Sequence, residues 1–178
     1  MNLFTRWMNQ KTPTVVRVIA LLLAGVLFVF LIPWLLLVVL PRLDAAWRLP
    51  EFNFGLLNYI LGGLLILIGV FFAWWSILSQ VLKAQGTPLP MLPTQSLLTG
   101  GPFKYCRNPM IFGTICAYLG VAVIAGSLAS IGFVLLFFAL LLLYVKLVEE
   151  KELALRFGVP YLEYKRVTPF LIPGKSRK

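Results

Sequence analysis

Residues 128–148 read LASIGFVLLFFALLLLYVKLV, twenty-one positions with a single charged side chain, Lys146. A helix needs about 20 apolar residues to cross ~30 Å of hydrocarbon, and this stretch supplies them. Working outward, Gly126-Ser127 separates it from a shorter apolar run at 110–125, and two further runs lie upstream at 56–82 and 18–40. The pattern predicts an all-α polytopic membrane bundle of about four spans, forming a single membrane domain over 1–178. Pro33 is expected to kink the first span. The 110–125 run is short for a perpendicular crossing. It either begins in the loop before it or makes a tight hairpin with the fourth span. Beyond residue 148 the helix is expected to continue as a cytoplasmic extension to about Phe157, where Gly158 caps it and Pro160 prevents its continuation.

Composition narrows the function. The chain has 178 residues, 60% hydrophobic and 12% charged, against about 25% charged in a soluble domain. A water-soluble globule, a disordered chain and a nucleic-acid-binding domain are excluded. The net charge of +10 arises from basic residues flanking apolar runs, the arrangement of cytoplasmic anchors and anionic-lipid contacts. The first run is longer than a signal-peptide core and no small-residue cleavage site follows it, so it is expected to persist in the mature chain. Arg6 and Lys11, then Lys83, Lys104 and Arg107, then eight cations from Lys146 to Lys178 lie on one side of this topology. Arg42 and Arg48 lie on the other. The positive-inside rule puts both termini and the 83–109 loop in the cytoplasm. There is no histidine, and the cysteines are Cys106 and Cys116. No disulfide framework, four-thiolate metal site or Ser-His-Asp arrangement is available, and no metal is expected.

Polar chemistry gathers in two cytoplasmic stretches, 94–113 and 146–173. In the first, Asn108-Pro109 is a helix-start signal: Asn can accept from first-turn amides, and Pro loses nothing at the first helical position. With Arg107 just outside, the helix start is either an anion site made of amides, dipole and guanidinium, or a plain start with Arg107 as a lipid anchor. Gly113, Ala117 and Gly120 share one face, which suits close helix packing or room for a flat ligand. Gly100-Gly101-Pro102 permits a sharp turn. Cys106 has no base beside it and reads as structural. In the second stretch, Lys146 with Glu150 and Glu152 with Arg156 are spaced as i, i+4 pairs. Glu149 has no such partner and is the acid of greater interest at this depth. Tyr161 and Tyr164 fit an interfacial belt.

Taken together, Gly101-Pro102-Phe103-Lys104-Tyr105, Arg107-Asn108-Pro109-Met110 and Gly113, followed by Glu149-Glu150, Leu153, Phe157-Gly158, Tyr161, Tyr164, Pro169 and Ile172-Pro173, resemble the isoprenylcysteine carboxyl methyltransferase and phospholipid methyltransferase family of membrane enzymes. The resemblance covers about residues 83–173. It implies S-adenosylmethionine as methyl donor, S-adenosylhomocysteine as product, and a lipid-like or prenylated acceptor, carboxylate or amine, entering from the bilayer. It implies cofactor contacts from Gly101, Pro102, Tyr105, Arg107, Asn108, Pro109, Gly113, Glu149, Glu150, Tyr161 and Tyr164, with Arg107 and Glu149 nearest the chemistry. Asn108 stands where many members carry His, and Asn cannot take a proton. Arg107 suits a carboxylate, Glu149 or Glu150 an ammonium or ribose hydroxyls, and Tyr161 or Tyr164 an adenosine. Two rival readings are an NADPH-dependent sterol-type membrane reductase, against which the Glu149-Glu150 pair counts, and a non-catalytic membrane scaffold.

Overall fold

The computed structural model describes residues 14–50, 52–84 and 96–175. Arg6, Lys11, Arg177, Lys178 and the 85–95 part of the long loop, with residues 94 and 95 of the first polar stretch, lie outside them. The described residues are helical, with no strand among them. Helix α1 starts as Thr14–Gly25, passes through wide π-helical turns at Val26–Leu31 and Leu35–Val39 on either side of Ile32–Trp34, and ends as Leu40–Trp47. It therefore runs past the expected end at residue 40. Helix α2 is Leu56–Ala84, α3 is Pro109–Ala125, and α4 runs as Leu128–Tyr144, a π turn at Val145–Glu149 and Glu150–Phe157; α5 is Val159–Val167.

Each wide turn ends two residues before a proline, Pro33 or Pro41, for a physical reason. Proline offers no N–H and its ring crowds the carbonyl one turn back, so the helix widens instead of closing a normal turn. Carbonyls that lose regular partners in hydrocarbon need new ones. Two hydroxyls supply them: Tyr118 of α3 donates to the Phe28 carbonyl at 2.7 Å and Ser130 of α4 to that of Leu36 at 2.8 Å. These bonds tie α1 to α3 and α4 through the core of Ile32, Leu36, Leu40, Tyr118, Val134 and Phe138.

Val26–Trp47, Leu56–Leu82 and Leu128–Phe157 are each long and apolar enough to cross a membrane, and Pro109–Ala125 is a shorter apolar helix. The protein is an integral membrane protein. Helix α3, 17 residues long, forms a tight hairpin with α4. Gly126 takes φ 62° at the end of α3, and Ser127 accepts the Ser130 amide at 3.0 Å to start α4. Asp44, near the end of α1, accepts the Ala129 amide at 2.8 Å and caps the same helix start.

Close packing takes up the small-residue face of α3. A methyl group added at Gly69 of α2 would lie 2.4 Å from the Ala117 nitrogen and 2.5 Å from the Gly113 carbonyl oxygen. One added at Gly120 would lie 2.5 Å from the Gly62 carbonyl oxygen. The two backbones touch, which only residues lacking a Cβ permit. Gly113 is thus occupied by α2 and is not open to a ligand.

Candidate functional site

The long loop returns to the bundle at a sharp turn. Gly101 has φ 62°, and a Cβ there would sit 3.3 Å from Ser79 Oγ and 3.7 Å from Trp75 Nε1 of α2. The turn Gly101–Lys104 follows, and the Pro102 carbonyl accepts the Tyr105 and Cys106 amides. The chain then passes through Cys106, Arg107 and Asn108 into Pro109, the first residue of α3. Cys106 is fully buried. Burial pushes its thiol up to about 11, offset in part by a hydrogen bond from the Asn108 backbone, which fits a structural role.

Arg107 turns inward and donates to Glu150 Oε1. The other oxygen of Glu150 receives Lys165 Nζ at 2.7 Å. One buried carboxylate, 8% exposed, therefore joins the corner before α3 to α4 and α5. The π turn explains why Glu150 holds this position. The Glu150 amide bonds back five residues to the Val145 carbonyl, and the added residue rotates everything after it relative to a plain α-helix. Spacing counted at 3.6 residues per turn favours Glu149, but Glu149 is half-buried beside Glu150 and Glu152 and makes no ion pair among the described residues. The two expected i, i+4 pairs do not form. Lys146 lies over the Phe170 ring at 5.4 Å and Arg156 over that of Phe157 at 5.4 Å.

Tyr161 and Tyr164 are buried, at 2% and 8% exposure, so they are not interfacial anchors. They pack with Phe103, Leu97, Leu98, Leu153 and Phe157. The Tyr164 hydroxyl donates to the Phe103 carbonyl at 2.7 Å, pinning α5 to the Gly101–Lys104 turn. Burial raises the Tyr164 phenol above its ordinary range. Burial also raises that of Tyr161, as does the Glu150 charge, with a hydrogen bond to Arg107 and its positive charge offsetting them in part. Both rings stay neutral at physiological pH. Tyr105, by contrast, is 45% exposed, with its ring 6.1 Å from Trp75 on α2.

Asn108 departs from its expected part. It does not cap α3 with its side chain. Instead its Nδ2 donates to the Phe170 carbonyl at 2.9 Å, and among the described residues no side chain caps the first turn of α3. The segment after α5 folds back over this corner. The Arg107 amide donates to the Pro169 carbonyl at 2.8 Å and the Gly174 amide to the Tyr105 carbonyl at 3.0 Å. The Phe170 ring lies 5.3 Å from the Arg107 guanidinium carbon. Buried Arg107 Nε has no hydrogen-bond partner among the described residues, so the guanidinium keeps donor capacity unused there. An open groove of about 840 Å³ runs beside α5, lined in part by Thr99, Lys104, Glu163, Tyr164, Arg166 and Thr168; of the expected site residues Tyr164 lines it.

Of the expected site residues, the structure brings together Arg107, Asn108, Glu150, Tyr161 and Tyr164, with Pro102 and Gly101 shaping the turn beneath them. Gly113 and the Tyr105 ring stand apart. Lys165 and Phe170 are additions. The signal for Lys165 lay in its spacing from Tyr161 and Tyr164 on one face of α5; Phe170 lies beyond the end of that helix and gave none.

The phospholipid methyltransferase family profile matches residues 57–159, well over half of the chain, taking in α2, the Arg107 corner, α3 and α4. The cobalt-zinc-cadmium resistance protein CzcN of Cupriavidus metallidurans is 35% identical over 81 residues, which cover 46% of this chain and 37% of that protein. No solved structure matches the chain.

Proposed function

We propose that this chain, which belongs to the phospholipid methyltransferase family and is thereby a membrane methyltransferase, takes its methyl group from S-adenosylmethionine and delivers it to a lipid-like or prenylated acceptor entering from the bilayer. The observation that carries the reading is the Arg107–Glu150–Lys165 cluster, with Arg107 and Glu150 buried, where the uncapped start of α3 meets the acidic stretch of α4.

The residues fit the charge pattern of an amino-acid-bearing sulfonium nucleoside. Arg107 has an unused buried Nε and suits the carboxylate. Its neighbours at the start of α3 add uncapped amides and the positive end of the helix dipole. Glu150 suits the ammonium, and Glu149, beside it on the π turn, suits ribose hydroxyls. Alone, Arg107 and Glu150 compensate each other, which avoids the high cost of an unpaired buried charge. The open groove beside Tyr164, lined largely by polar and charged side chains, offers room for the adenosine, within the size range of ligand clefts.

The bound cofactor supplies an already activated methyl group on its sulfonium. What remains for the protein is alignment and exclusion of water, together worth up to ~7–11 kcal/mol. Arg107, Glu150 and Lys165 are held by several elements and fix one end of the ligand. A carboxylate acceptor needs no base and an amine only its neutral form, so a histidine-free chain can run this reaction. The placement of cations along the sequence supports a cytoplasmic location for the cluster and both termini.

Purified protein incubated with methyl-labelled S-adenosylmethionine and a total lipid extract is expected to yield a labelled apolar product. Thermal stabilisation by S-adenosylhomocysteine and not by NADPH is expected alongside. Stabilisation by NADPH alone would replace this reading with a reductase, and stabilisation by neither, with no labelled product, would replace it with a scaffold.

A further inference from the structure

We propose that Phe170 is a positioning residue for the Arg107 guanidinium, and that the segment 168–175 carrying it is a working part of the site. The inference rests on the cofactor reading above. Three hydrogen bonds seat this segment, each on a different residue of the corner: Tyr105 through its carbonyl, Arg107 through its amide and Asn108 through its side chain. Two of the three fall on Pro169 and Phe170 themselves, so the backbone carrying the ring is fixed on both sides of its Cα. Thr168, just before it, is buried.

The ring so placed touches two cations from different elements, Arg107 at 5.3 Å and Lys146 at 5.4 Å. The electron-rich face of an aromatic ring attracts a guanidinium and favours a definite placement of its plane. Arg107 needs such a guide. Its amide is engaged by Pro169 and its guanidinium reaches Glu150, but Nε is unpaired among the described residues. Glu150 and Tyr161 hold the guanidinium at its polar edge, and the ring face adds the contact that fixes the tilt of its plane. With Phe170 beneath it, the free edge of the guanidinium is held ready for a carboxylate. Asn108 acquires a purpose in the same arrangement, since its side chain holds the Phe170 carbonyl and leaves the helix start uncapped.

The full chain in detergent micelles provides the test, with S-adenosylhomocysteine as the titrated ligand. Phe170→Leu keeps apolar bulk and removes the ring face. It is expected to raise the Kd by about five- to tenfold and the KM for S-adenosylmethionine in parallel, with kcat changed less than about twofold. Phe170→Trp restores an aromatic face and is expected to recover most of the affinity. Should Phe170→Leu fail to fold, fluorinated phenylalanines at position 170 keep the shape while weakening the ring face, and the Kd is expected to rise with each added fluorine. A Kd that ignores fluorination, or equal losses in the Leu and Trp variants, overturns the positioning role in favour of plain packing. Arg107→Ala separates the two levels. If it binds S-adenosylhomocysteine as the wild type does, the cofactor reading falls. If it binds weakly while Phe170→Leu binds normally, only the inference about Phe170 falls.

Discussion

Exchanging each acid of the Glu149-Glu150 pair for glutamine separates an account based on geometry from one based on helical spacing alone. Glu150 is the counter-charge for an arginine whose side chain is 12% exposed. Removing one partner of a buried ion pair costs about 3–5 kcal/mol, because the other charge stays buried without compensation. Glutamine retains a carbonyl oxygen for Arg107, and a hydrogen bond of that kind returns about 1 kcal/mol. The bond to Lys165, whose side chain is 41% exposed, adds at most about 1 kcal/mol because water screens it. Glu150→Gln should thus cost about 2–4 kcal/mol. For a chain of this size that is a fall in melting temperature on the order of 5–15 °C. Glu149→Gln removes a half-buried charge that has no ion-pair partner among the described residues and that faces like charges on Glu150 and Glu152, so no loss of stability, and at most a small gain, is expected. Thermal melting of the detergent-solubilised variants followed by tryptophan fluorescence reads the difference. In a double variant, Arg107→Gln with Glu150→Gln, the losses should be well below additive. Equal melting temperatures for the two single variants, or the larger loss at Glu149, would refute the assignment of Glu150 as the buried counter-ion.

Three further outcomes are expected. Gly69→Leu drives a side chain into the Ala117 and Gly113 backbone, and should destabilise by at least the 1–3 kcal/mol typical of overpacking, while Gly63→Leu, whose added Cβ meets open space, should be tolerated; both are read by melting temperature and yield of folded protein. Tyr164→Phe leaves the buried Phe103 carbonyl without its donor, a loss of about 1–3 kcal/mol, and proteolysis should then cut more readily between α4 and the C-terminus. In a Cys116→Ser background, Cys106 should resist alkylation at pH 8, well below its raised range of about 11, and react once the protein is denatured; rapid labelling of the folded protein would contradict its burial.

Much of the bundle could be read from run lengths, because a 21-residue apolar stretch has few alternatives to a membrane helix. The Gly126-Ser127 hairpin was one of two readings of the short 110–125 run, and the left-handed Gly126 with the Ser127 cap decides for it. The site was legible in its parts and less so in its pairing. Arg107 and the acidic pair stood out, but which acid met Arg107 depended on a π turn at Val145–Glu149 that no helical wheel of 3.6 residues per turn contains. Asn108 looked like a cap because its local neighbours favour one. Its donor group is claimed instead by Phe170, 62 residues away in sequence, and such a contact leaves no periodic trace. Gly113 read as helix packing first and as ligand space second. The deciding partners, Gly69 and Ala73, lie on α2, and only folding brings their backbones against it.

The central claim, that S-adenosylmethionine lies where Arg107 meets Glu150, is tested most directly by ultraviolet crosslinking of labelled S-adenosylmethionine to the folded protein, followed by peptide mapping. The account predicts label in peptides covering residues 101–110 and 149–164, suppressed by excess S-adenosylhomocysteine and lost in Arg107→Ala. Competable label confined to the opposite end of the bundle, around Asp44 and Asn58, or no competable label at all, would contradict it.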